Sequence, residues 1–154
     1  MPVSDFDEFD HETHMQRAFE LARTAVDRGD RPFGSVLVRD DEIVMEASNR
    51  VRTESDVRCH PELQLAHRSM REFDQDERRE LVMYTSTEPC PMCAGGLRYA
   101  GLGRVIYSVS SDEMTGFSDH EESVRSGEIL DGVTDVVGPI CQEEGLAIHE
   151  AFDW

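Results

Sequence analysis

Two short stretches hold residue types that do chemistry together: His60-Pro61-Glu62, and Pro89-Cys90-Pro91-Met92-Cys93. Imidazole and thiolate are ligands that zinc favours, and one histidine with two cysteines leaves the fourth tetrahedral position to water. That is the arrangement of a catalytic site, whereas four protein ligands close a structural one. His60, Cys90 and Cys93 are therefore the best ligand set in the chain. Glu62 is unsuited to being a fourth ligand where water must bind, and well placed to take and return that water's protons. Two plainer readings stand beside this one. A Cys-x-x-Cys pair can be a redox dithiol, and a structural zinc site would need a fourth ligand, for which Cys59 is the obvious candidate. Cys141 reads as a small buried hydrophobe.

The flanking sequence says how these residues are presented. Pro61 and Pro91 each open a helix, a position where the missing N–H costs nothing. The first of these helices runs to about Phe73. Both motifs thus lie where a loop enters a helix N-terminus, which favours the thiolate form of the cysteines and lets both sulfurs face one ion. Apolar residues at Met15, Ala18, Phe19, Ala22, Ala25 and Val26 recur at helical spacing over 12–28, and Gly29 stops that helix. FGSVLVRDDEIVMEASN reads as a hairpin turning at Asp40, Asp41 and Glu42. Further strands are expected at 81–86 and 104–110, with a fifth in VTDVVG. A polar loop over 111–132 surrounds a short helix at 120–127, and a last helix covers 141–153. Helices alternating with strands predict an α/β fold: a three-layer α/β/α sandwich on a mixed five-stranded sheet.

The 154 residues suit a single domain over 1–154. Its 33 acidic residues face 15 basic ones, all arginine, for a net charge of -18. Self-repulsion on that scale is screened by high salt, so a salt-rich cytoplasm is the expected home, that of a halophilic protein. The acidity also weighs against a nucleic-acid partner, which calls for a basic stripe. The acidic start MPVSDFDEFD does not read as a targeting segment, and no apolar run approaches a membrane span.

The spacing H-x-E followed by P-C-x-x-C is the signature of the zinc nucleobase deaminases. PFGSVLV at 32–38, Asn49 and LVMYTSTEPCPMCAGGLRYAGLGRVIYS at 81–108 extend the likeness. Over roughly residues 11–117 the chain resembles the cytidine-deaminase-like superfamily, and within it the branch of bacterial-type guanine deaminase, cytosine deaminase and tRNA adenosine deaminase. The resemblance implies Zn2+ as cofactor and zinc-bound water deprotonated by Glu62. The hydroxide attacks the carbon bearing the exocyclic amine, and Glu62 then protonates the ring nitrogen and the departing ammonia.

It further makes Asn49 a hydrogen-bonding contact to the base and Phe33 part of the pocket wall, and it puts Asp112 and Phe117 in a loop where specificity residues lie. The implied substrate is a small-molecule nucleobase, guanine first, then cytosine, then tRNA adenosine, and the implied assembly is a homodimer. The reading from another class is an inactive zinc-binding module. One departure is Pro61, where most members carry a small residue, and it bears on the angle of Glu62. Glu88 orients the metal loop or touches substrate. Trp154 closes over the pocket or anchors the tail. His11, His14, His67, His120 and His149 read as solvated or structural.

Overall fold

The computed structural model describes residues 5–117 and 124–154. Helix α1 (His11–Arg28) is capped by the Asp10 carboxylate at Thr13 N–H and ends at Gly29, whose φ of 103° is costly for any residue with a Cβ. Strands β1 (Gly34–Arg39) and β2 (Glu42–Ser48) form the expected hairpin. Its turn is Asp40 and Asp41, both at positive φ (51° and 62°), and Glu42 already belongs to β2. Helix α2 (Pro61–Glu72), strand β3 (Val82–Thr87), helix α3 (Pro91–Ala100) and strand β4 (Arg104–Val109) follow within a residue of their expected places. Strand β5 is Asp135–Val137 and helix α4 is Gln142–Glu150, both shorter than their sequence patterns.

The first half of the short helix expected at 120–127, with His120, lies outside the described residues. Single helical turns stand at Ser111–Met114 and Ser126–Ile129. Another turn, Val51–Glu54, sits in the loop before α2. No described helix is long and apolar enough to cross a membrane.

The sheet is mixed, in the order β2-β1-β3-β4-β5, with β1 antiparallel to both neighbours and β3, β4 and β5 parallel. Successive residues point to opposite faces, so each central strand serves two cores. Val36, Val38, Val82, Tyr84 and Ile106 pack against Met15, Ala18 and Phe19 of α1, with Ile148 of α4 alongside. Leu37, Met83 and Val105 face the other way, onto Leu65 of α2 and Ala94 and Leu97 of α3. This is the three-layer α/β/α sandwich. Helix α1 lies so close to β1 that a Cβ on Gly34 would come within 2.4 Å of Ala18 O. Because β1 runs against β3, the start of β1 and the end of β3 share one edge, the edge from which the chain enters α3. Ligand sites of open α/β sheets form at such strand ends.

Candidate active site

His60 and Cys90 are the N-cap residues of α2 and α3, each in extended backbone, with Pro61 and Pro91 at the next position. Both side chains thus project from helix starts into the same space, and Cys93 joins them from the first turn of α3. His60 Nδ1 lies 3.7 Å from Cys90 Sγ across 30 residues of sequence, and one ligand atom from each of the three residues falls within 4.8 Å of the others. Zinc bonded tetrahedrally at about 2.0–2.3 Å separates its ligand atoms by roughly 3.5–3.8 Å, so the set can close on an ion through small side-chain adjustments. Among the described residues neither Cys59 nor Glu62 belongs to this group. A metal held here would keep an open position.

The electrostatics favour a thiolate at Cys90. Hydrogen bonds with Cys93 and His60 lower its pKa to about 4. The bond with Cys90 and burial push Cys93 upward, and Cys90 raises His60. Glu62 is 6 % exposed, and that burial, with the Cys90 thiolate nearby, raises its carboxyl above the ordinary carboxylate range. Pro61 takes the first helical position and Glu62 follows within α2. Thr85 Oγ1 and Ser35 Oγ lie 3.0 Å and 3.1 Å from Glu62 Oε1, within hydrogen-bond reach, and the two hydroxyl oxygens lie 2.7 Å apart.

Glu62, His60 and Cys90 line a cavity of about 460 Å³, together with Phe33, Thr87, Glu88, Arg31 and Trp154. The Phe33 ring lies 6.0 Å from that of Trp154 in the lining. Phe117 is one layer behind, its ring 5.7 Å from His149 and 6.4 Å from Trp154. Asn49 is buried and does not line the cavity. Its Oδ1 accepts from Val51 N–H at 3.0 Å, and its own N–H donates to Phe33 O at 2.9 Å, tying the turn before α2 to the cavity wall. Asp112 also stands outside the lining, exposed and paired with Arg125.

Glu88 is a structural bolt. One carboxylate oxygen accepts from Ser111 N–H at 2.9 Å and the other from Ser126 Oγ at 2.6 Å, which fastens the cysteine loop to both single-turn helices. Trp154 donates Nε1–H to His149 O at 2.9 Å, and the Arg31 guanidinium lies over its ring at 5.8 Å.

Three residues here escaped the sequence reading. Ser35 and Thr85 sit inside apolar runs, and a hydroxyl in a strand buried on both faces must find a partner, a signal that could have been used. Thr87 offered none. His149 is 1 % exposed, with Nε2 2.8 Å from Thr87 Oγ1, and burial lowers its pKa to about 4. Of the other histidines, His14 is buried against Asp41 at 2.7 Å and His11 contacts the Tyr84 hydroxyl at 2.6 Å, both structural and away from the cavity.

A mixed sheet sandwiched by helices, with a His/Cys/Cys donor set at two helix N-termini, defines a cytidine-deaminase-like protein. Residues 9–136 match the MafB19-like deaminase family, and the chain belongs to it, as a hydrolytic deaminase acting on C–N bonds. The guanine deaminase of Bacillus subtilis is 35% identical over 71% of this chain and 72% of its own. Its crystal structure superposes with a TM-score of 0.62, covering 70% of this chain and 69% of that one. A probable cytosine deaminase of Schizosaccharomyces pombe is 29% identical over 90% of both chains. A tRNA-specific adenosine deaminase of Agrobacterium fabrum is 33% identical over 92% of this chain and 89% of its own.

Proposed function

We propose that the chain deaminates a free nucleobase, guanine, with Glu62 as proton carrier and zinc at His60, Cys90 and Cys93. The observation that carries this reading is that Glu62 lines one cavity with His60 and Cys90 of the donor set, and that the rings of Phe33 and Trp154, tilted 59° to each other, line the same cavity. The bound ion would supply the Lewis acidity that makes water a nucleophile at neutral pH. Glu62 takes a proton from the attacking water and delivers protons to the ring nitrogen and the departing amine, so that C–NH2 and water become C=O and ammonia. Burial, which raises its carboxyl, makes the protonated form easier to reach, which suits a group that must both accept and give back a proton. Phe33 and Trp154 present rings against which a purine can stack.

Guanine is favoured by the 35% identity to a guanine deaminase, and cytosine is the second reading, favoured by the relative that matches over 90% of both chains. The net charge of -18 weighs against a tRNA substrate and supports work in a salt-rich cytoplasm. Exposed apolar side chains on the two site helices, Tyr99 on α3 and Met70 on α2, support a homodimer.

The test is ammonia release by zinc-loaded protein in concentrated KCl. The panel is guanine, cytosine, adenine, their nucleosides and a tRNA anticodon stem, with Glu62→Ala as the blank. Guanine turnover that vanishes in the variant, while zinc stays bound, is the expected result. Turnover surviving in Glu62→Ala sinks the proton-carrier role, and turnover of cytosine alone moves the assignment to the second reading.

A further inference from the structure

The two oxygens of Glu62 are held differently. Oε1 sits between Ser35 and Thr85, which pair directly across the antiparallel β1–β3 ladder and are both fully buried. Among the described residues no hydrogen bond reaches Oε2, and Oε2 is not one of the buried side-chain atoms left without a partner. Since Glu62 lines the cavity, Oε2 is the oxygen open to it.

We infer that Ser35 and Thr85 are positioning residues that grip Oε1 and aim Oε2 at the substrate, an inference that rests on the proposed role of Glu62 as proton carrier. Each hydroxyl has one proton to give. Thr85 has two acceptors in range, Glu62 Oε1 at 3.0 Å and Thr87 O at 3.2 Å, and Ser35 has Thr85 Oγ1 at 2.7 Å and Glu62 Oε1 at 3.1 Å. In the arrangement that spends both protons on the carboxylate side, Ser35 donates to Thr85 and Thr85 donates to Glu62. Remove either hydroxyl and the other still reaches Oε1. The grip is therefore redundant, and only the loss of both frees the carboxylate to rotate. An aimed oxygen matters because proton transfer requires hydrogen-bond reach in the reacting complex.

The experiment compares Ser35→Ala, Thr85→Val and the double variant, all close in size to the native residues. Each single variant is expected to lose less than about threefold in kcat, and the double variant more than about tenfold, with KM and zinc content unchanged. The exchange Ser35→Thr with Thr85→Ser keeps both hydroxyls and should keep kcat. In crystal structures of the zinc-loaded proteins, the Glu62 carboxylate should hold one orientation in the native protein and lose it in the double variant.

A double variant with native kcat and native Glu62 orientation would overturn the inference. So would an exchange variant as slow as the double one. If the native protein leaves guanine untouched while the double variant releases the carboxylate, the substrate assignment fails and the positioning role stands.

Discussion

The imidazole of His149 meets Thr87 across 62 residues of sequence, Nε2 to Oγ1 at 2.8 Å, and so joins the last helix to the strand end that leads into the cysteine loop. Rings of Phe33, Phe117 and Trp154 surround it with centroids 5.5–5.7 Å away. Such a histidine is neutral. The unfolded chain takes up a proton on it below the ordinary 6.5, and the folded chain only below about 4.

Between those two values the unfolded state binds more protons, so stability is full above pH 6.5 and falls as the pH drops toward 4. The gap is worth up to roughly 3 kcal/mol. His149→Gln, which can still bond Thr87 without charging, should flatten that acid limb. Urea unfolding at pH 7 and pH 5 reads it: the native protein loses stability between the two, and the variant loses distinctly less.

Zinc content separates an open site from a closed one. Cys93 is fully buried in the donor set and Cys59 stands outside it. Cys93→Ser should leave the purified protein with substoichiometric zinc and a lower Tm, because the ion's binding energy is folding energy. Cys59→Ser should keep one zinc per chain and full turnover. Elemental analysis of both proteins decides this, and zinc lost from the Cys59 variant would point back to a four-ligand structural site.

Glu88 accepts hydrogen bonds from two different turns, and an amide can match that on only one side. Glu88→Gln should cost about 1–2 kcal/mol in urea unfolding, as expected for weakened charge-assisted bonds. Its turnover should fall less than that of Glu62→Ala, since Glu88 holds the loop and Glu62 is the proposed proton carrier.

With a net charge of -18 and no lysine, the folded chain carries strong self-repulsion in dilute buffer. The screening length shrinks from about 10 Å at 0.1 M salt to about 3 Å at 1 M. Tm should therefore climb steadily with KCl over that range and beyond it. A flat or falling Tm would remove the argument for a salt-rich home.

Much of the architecture was legible because it is written in local chemistry. Helical spacing marked α1, Pro61 and Pro91 marked the starts of α2 and α3, and alternating or continuous apolar runs marked the strands. Boundaries shifted where regular pairing or helix geometry stopped short of the pattern: VTDVVG suggested six residues and Asp135–Val137 are in the sheet. The single turn at Ser111–Met114 was not legible, since it is stabilised by Ser110 capping Glu113 N–H and by the distant carboxylate of Glu88.

The candidate metal set and its neighbouring glutamate were likewise readable, since ligand type and spacing around two helix starts restrict what the residues can bind. What lay out of reach was every relationship between residues far apart in sequence. Asn49, expected to contact the base, is joined through its Oδ1 to a turn amide, and Asp112, expected in a specificity loop, is joined to Arg125. Trp154 could have closed a pocket or anchored a tail, and it does both, through its ring and its Nε1–H.

The sequence by itself determined the sheet-and-helix order, the donor residues, the acid beside them and the acidic surface, because each follows from side-chain chemistry or short-range periodicity. Only the tertiary structure decided that Ser35 and Thr85 meet at one oxygen of Glu62, and that His149 stands neutral behind the aromatic wall. Strand register sets the first and burial in the packed interior sets the second, and both come from long-range packing that no local pattern encodes.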